Sequence, residues 1–255
     1  KLPRSSWDDY DRQVLSESGG IFPRSAKSIT LSPAACSALG LERSEFSPND
    51  LLHALLKAPV DMIYNGGIGT YVKSSEESHL QVGDKAGDAY RVNGAQLRCK
   101  VLVEGGNLGC TQRGRIEFAQ AGGLIYTDAI DNSAGVDCSD HEVNIKILLD
   151  RVVEAGDLTL KQRNELLASM TEEVGHLVLA DNYYQTQAID VACHRPMYVL
   201  NGQQRLMQWL EGAGRLNRPI EFLPSDEEIA RRRTLKTGLT APEGDRVDHR
   251  VALEG

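Results

Sequence analysis

Three short apolar runs constrain this chain more than any other feature of its sequence: VDMIY before Asn65-Gly66-Gly67, KVLVE before Gly105-Gly106-Asn107, and LIYTD before AIDNSAG. Runs this short, each closing on small or polar residues, read as strands buried on both faces of a parallel sheet. Parallel neighbours need crossover connections, and the intervening segments 74–90 and 111–120 are long enough to be helices. The expected fold class is therefore α/β: part of a doubly wound, mostly parallel sheet, followed by an all-helical extension. In such sheets ligands collect outside the carboxyl ends of the strands, where all three glycine- and asparagine-rich segments would fall.

Upstream, Ser47, Pro48 and Asp50 form a cap, a first-turn proline and a first-turn acid, predicting a helix that ends near Ala58. A short helix is expected around Trp7 to Leu15. Beyond Gly135 the pattern turns helical and stays so. Ile145, Leu148, Leu149, Val152 and Val153 make one apolar stripe, and Thr159 with Gln162 spells a capping box for a helix striped by Leu166, Met170, Val174 and Leu177. Further helices are expected over 183–193, 197–212 and 226–234, with Pro196 separating the first two. The final residues, GDRVDHRVALEG, lack a helical period and read as a loose tail. These signals divide the chain into 1–142 (sheet-bearing), 143–242 (helical) and 243–255 (tail).

The 36 acidic residues outnumber the 28 basic ones, giving a formal charge of -8, and the acids are spread along the chain. That argues against a nucleic-acid partner, since phosphate binding requires clustered cations. No apolar run approaches the roughly 18 residues of a spanning helix, so no membrane role and a cytoplasmic location are expected. Five cysteines without a CxxC suit reduced thiols. Cys138 and His141 lack the further ligands of a metal site, and none is expected.

No GxGxxG, GxSxG, HExxH or P-loop is present. Taken alone, Asn65-Gly66-Gly67 and Gly105-Gly106-Asn107 could be simple turns. Their convergence on one sheet edge favours a ligand. Ser139 admits two readings: with Glu142 it spells a capping box, or at a helix start it receives a carboxylate. A hydrolase built on Ser139 and His141 fails for want of a nucleophile elbow.

The segments VEGGN and GRIEFAQAGGLIYTDAIDNSAGVDCSDHEVN resemble the corresponding stretch of glutamate dehydrogenases. APVDMIYNGGIGTYVK and YDRQVLSESGGIFPRSAKSI are similar to the very large NAD-specific subgroup, and the resemblance extends to about Pro242. It implies that residues 1–142 are the back half of a Rossmann-like NAD-binding domain. It also implies that Glu104, Gly105 and Asn107, with Asn132, border the nicotinamide half of the cofactor. Ser133 and Ala134 depart from the family's Ala-Gly at that place. Asn65, Gly66 and Gly67 would lie by the adenosine ribose, and Ser139 would bind the substrate carboxylate.

The implied reaction takes L-glutamate, NAD and water to 2-oxoglutarate, ammonium and NADH, in a parent expected to be a homo-oligomer. The chain opens on Lys1, as an internal piece would. By resemblance the glycine fingerprint and the lysine and aspartate of the amine chemistry lie upstream, so no catalytic residue is assigned here and the isolated chain is expected to be inactive. The alternative is a non-catalytic helical module, from Val143 onward, serving assembly or regulation.

Overall fold

The structure, a computed structural model, describes residues 6–252, with side chains to residue 247. Residues 1–5 of the expected sheet-bearing part and 253–255 of the expected tail lie outside the described residues. The N-terminal part carries strands β1 (Ile29–Thr30) and β2 (Glu45–Phe46), paired antiparallel, with helices α1 (Pro33–Leu39) and α2 (Pro48–Leu56). Ser47 caps α2 as expected, its Oγ accepting the Asp50 N–H at 3.2 Å. The helix expected around Trp7 is instead two single 3-10 turns, Trp7–Asp9 and Arg12–Val14.

The α/β character is borne out as small parallel pairings. Strand β3 (Met62–Asn65) and strand β6 (Val101–Glu104) run parallel in the register Met62 to Val101 and Asn65 to Glu104. Between them in sequence, β4 (Val72–Lys73) pairs parallel with β5 (Val92–Asn93), and Val72 also bridges to Cys110. The third apolar run touches this sheet at a single parallel bridge, Leu124 to Val101, and is not a strand. Two residues later Tyr126 turns its hydroxyl to Asp190 and Thr127 bonds Asp245, which draws the chain off the sheet.

Segment 74–90, expected to be a crossover helix, holds only the single turn α3 (His79–Val82) and one 3-10 turn. The fully buried guanidinium of Arg91 organises it. That group donates to the carbonyls of Thr70 and Asp84 and to Asp88, and meets His79 Nδ1 at 2.9 Å. A loop whose polar groups are satisfied this way needs no helix. The other crossover is helical as expected, α4 (Gln112–Gln120). Val72, Val92, Cys99, Leu102, Cys110, Phe118 and Ile125 form the core under these elements.

The helical part starts with α5 (Asp128–Asp131) and the 22-residue α6 (Ser133–Glu154), followed by α7 (Leu160–Ser169). The helix expected after Thr159 breaks at Met170, and its second half, with Val174 and Leu177, runs in the 24-residue α8 (Thr171–His194) straight through the segment 183–193 expected as a separate helix. The expected apolar stripes are only partly buried: Leu149 and Val178 are covered, whereas Leu148, Leu166 and Leu177 are exposed. Pro196 breaks the path as expected, opening α9 (Pro196–Gly212). After α10 (Arg218–Glu221) and α11 (Asp226–Thr234) comes α12 (Ala241–Ala252), where a loose tail was expected.

Helix α12 packs against α4, α8 and α9. Its Val247 is fully buried in a core with Leu200, Met207, Leu210 and Ile229. Its Glu243 takes both Nη atoms of Arg232 at 2.7 and 2.8 Å. Among the described side chains, the charged Glu243 and Asp245 anchor it alongside Val247. No helix among the described residues is long and apolar enough to cross a membrane.

Candidate functional site

The parallel register puts Asn65 and Glu104 side by side at the carboxyl ends of β3 and β6. Two loops leave from there. Asn65 Oδ1 accepts the Gly67 N–H at 3.3 Å, curling the first loop over the strand end, and Gly66 and Gly67 are exposed. Asn65 Nδ2 is buried without a protein partner. Gly105 passes beneath the Tyr64 ring, where a side chain at its position would meet the Tyr64 hydroxyl at 2.0 Å. Gly106 brings the two loops together: a Cβ there would lie 2.8 Å from the Gly67 carbonyl oxygen, closer than real contacts allow. A side chain would force the loops apart.

Asn107, exposed on the second loop, accepts the Asn132 Nδ2 at 2.7 Å through its Oδ1. Asn132 sits half-buried between α5 and α6, and its side chain does not cap α6. Three of the segments picked out from the sequence thus meet at one edge, and two of their asparagines touch. Among the described residues Asn107 Nδ2 and Asn132 Oδ1 have no further protein partner. The first turn of α6 lies directly behind, with N–H groups and the positive end of a long helix dipole.

Ser139 is elsewhere. Helix α6 starts at Ser133, so Ser139 lies inside the helix, exposed, with its Oγ bonded back to the Gly135 carbonyl at 3.3 Å. The capping-box reading of Ser139 and Glu142 is corrected accordingly. At about 1.5 Å rise per residue, Ser139 lies about 9 Å along the axis from the helix start.

Glu104 does not face outward either. It is fully buried, and its two oxygens take Arg115 Nε at 2.6 Å and Nη2 at 3.0 Å. Arg115 Nη2 also reaches Asp128 at 3.1 Å. Asp131 Oδ2 accepts the Glu104 N–H, Asp128 Oδ2 the Leu108 N–H, and Glu104 Oε1 the Cys110 N–H, each at 2.8 Å. Two carboxylates, Glu104 and Asp128, thus share one guanidinium behind the loop, and Asp131 stands beside them on the Glu104 N–H. Arg115, Asp128 and Asp131 escaped the sequence reading, since a buried ion cluster leaves no periodic signal. The one available hint is that Arg115 falls three residues before Phe118, on the apolar side of α4.

Burial pushes Asp131 up to about 6, with repulsion from Glu104 and Asp128 adding to it against the Glu104 N–H and Arg115. Because the unfolded value is lower, near 3.9, stabilisation by the protonated carboxyl is complete below about pH 4 and lost as pH rises through about 6. Replacing Asp131 by Asn keeps a carbonyl oxygen for the Glu104 N–H. This variant is expected to be more stable than the parent by about 1–2 kcal/mol at about pH 8, after allowance for solvent screening, and nearly equal to it at about pH 3. Thermal melts at the two pH values measure the difference; equal shifts at both would contradict this assignment.

Comparison with known proteins decides which family presents such an edge. The profile of the family described as bacterial NAD-glutamate dehydrogenase, catalytic domain, matches residues 1–192. The chain belongs to that family. The NAD-specific glutamate dehydrogenases of Halomonas elongata and Pseudomonas aeruginosa are 57% and 58% identical to it over 242 residues, covering 95% of this chain and 15% of each relative. The enzyme of the same name from Mycobacterium tuberculosis is 50% identical over 249 residues, with the same coverage. The chain therefore spans about 15% of the length of the curated relatives it matches. The family match ends inside α8, so the core formed by α9 to α12 lies beyond it.

Proposed function

We propose that this segment forms the nicotinamide-side wall of the NAD site in a glutamate dehydrogenase that oxidatively deaminates L-glutamate to 2-oxoglutarate and ammonium. In this reading residues 1–142 are the back half of a Rossmann-like domain, 143–242 a helical region, and 243–255, now with α12, its closing element. The observation that carries the reading is the meeting of Asn107 and Asn132 at the carboxyl edge of a parallel strand pair. The edge fits a dinucleotide: the exposed backbone at Gly66 and Gly67 has no side chain to hold a ligand away, Gly105 lets the Tyr64 ring lie over the second loop, and the uncapped start of α6 suits an anionic or carbonyl group. The Asn65 amide shapes the first loop, and Asn107 and Asn132 offer amide groups at the rim.

NAD, when bound, supplies the hydride acceptor. Glu104 contributes through position, fixing the loop from beneath. Ser139 is proposed for the substrate carboxylate, which in this fold must approach along the exposed face of α6. The surrounding enzyme is proposed to be a cytoplasmic homo-oligomer that supplies the acid-base groups, so that this piece alone does not turn over.

In the full-length dehydrogenase carrying this segment, Asn132→Ala is expected to raise the KM for NAD about tenfold, the loss of about one hydrogen bond to a ligand. Ser139→Ala is expected to raise the KM for glutamate with that for NAD unchanged. Steady-state kinetics decide both, and parent-like constants in Asn132→Ala would sink the assignment.

A further inference from the structure

The loop that presents Asn107 has no regular structure of its own and holds Leu108 at φ 60°, a conformation that side-chain-bearing residues seldom adopt. Its shape is imposed from behind. The Leu108 N–H goes to Asp128 and the Leu108 carbonyl accepts the Thr70 hydroxyl at 2.8 Å. The strand end before the loop is held by Asp131 and the residue after it by Glu104. The carboxylates that grip the loop would repel one another without a shared cation. Arg115, 1% exposed, is that cation: it joins Glu104 and Asp128 and is itself steadied by Gln112 Oε1 at 3.3 Å.

We propose that Arg115 is a positioning residue for the cofactor edge, setting the 105–109 loop so that Asn107 meets Asn132; this rests on the reading of that edge as the NAD site. A planar guanidinium can hold Glu104 through two nitrogens and reach Asp128 at once, which an ammonium cannot do. The Arg115→Lys variant therefore keeps the charge and loses the geometry. Small displacements of binding groups are costly in affinity, so the effect falls on NAD first.

The test uses the full-length dehydrogenase carrying this segment, with Arg232→Lys as control. Arg232 forms a buried pair with Glu243 in the helical core, and its bonds to Glu228, Gly238 and Glu243 reach none of the groups that hold the loop. Arg115→Lys is expected to raise the KM for NAD about tenfold, and Asp128→Asn, which keeps an acceptor for Leu108, to do the same. Arg232→Lys is expected to lower the melting temperature without changing that KM. Because Arg115 acts through the loop, Arg115→Lys combined with Asn107→Ala should bind NAD no worse than Asn107→Ala alone. If Asn107→Ala raises the KM while Arg115→Lys and Asp128→Asn do not, or if the double variant multiplies the two effects, the positioning role is wrong and the edge reading stands. If Asn107→Ala itself leaves the KM unchanged, the edge reading falls, and the proposal with it.

Discussion

A chain ending at Leu239 is expected to lose its cooperative thermal transition, or to melt at least about 10 °C below the full-length chain. Removing α12 takes Val247 from the core and leaves Arg232 buried without Glu243. It also strips Thr127 and Gln112 of their bonds to Asp245 and to the Pro242 carbonyl. Arg232 keeps Glu228, so breaking its buried pair with Glu243 costs less than the about 3–5 kcal/mol of a fully unpaired buried charge, and loss of a buried valine adds about 1.5–3 kcal/mol. Circular dichroism melts measure it. Glu243→Gln, which keeps hydrogen-bonding capacity but drops the charge, should fall between the two. A truncated chain melting like the parent would restore the loose-tail reading.

The second large effect is expected at Gly94. Here the 3-10 turn Gly94–Gln96 lies flat on α4, and a Cβ on Gly94 would sit 2.5 Å from the Gly114 carbonyl oxygen and 2.9 Å from the Phe118 nitrogen. Both are backbone atoms of a helix, so neither can swing aside. The same surface is pinned by Glu117, which accepts the Ala95 N–H at 2.8 Å and the Ser74 hydroxyl at 2.7 Å. Gly94→Ala is expected to cost about 3 kcal/mol, the upper range for overpacking, and to lower the melting temperature by about 6–12 °C. Gly135→Ala, where a Cβ meets nothing within 4 Å, should leave it nearly unchanged. Equal melts for the two variants would show that α4 and the turn are not in close contact.

The strands β3 and β6 and the asparagine edge were legible because each strand is a short apolar run closed by glycine; burial on both faces was not borne out, since β3 leaves Met62 and Tyr64 exposed. What escaped has a common physical cause. Arg115, Arg91, Glu243 and Asp245 are buried charges, and a sequence pattern that sorts residues into apolar inside and polar outside assigns them to the surface. Hence segment 74–90 was expected as a helix and α12 as a tail. Ser139 was misplaced for another reason: Ser-x-x-Glu marks a helix start only where a helix starts, and α6 begins six residues earlier, after the short turn of α5. The resemblance to a known family pointed to the enzyme class. The side-chain geometry supplies what the resemblance lacks, a reason for the GGN loop to hold its shape.

The most direct test of the central claim is the structure of the full-length dehydrogenase, carrying this segment, determined with NAD bound. The expected result is the nicotinamide half of the cofactor in contact with Asn107 and Asn132, a close approach to the backbone of Gly66 and Gly67, and Arg115 still joining Glu104 to Asp128 beneath the loop. NAD bound elsewhere, with this edge covered by polypeptide, would contradict it.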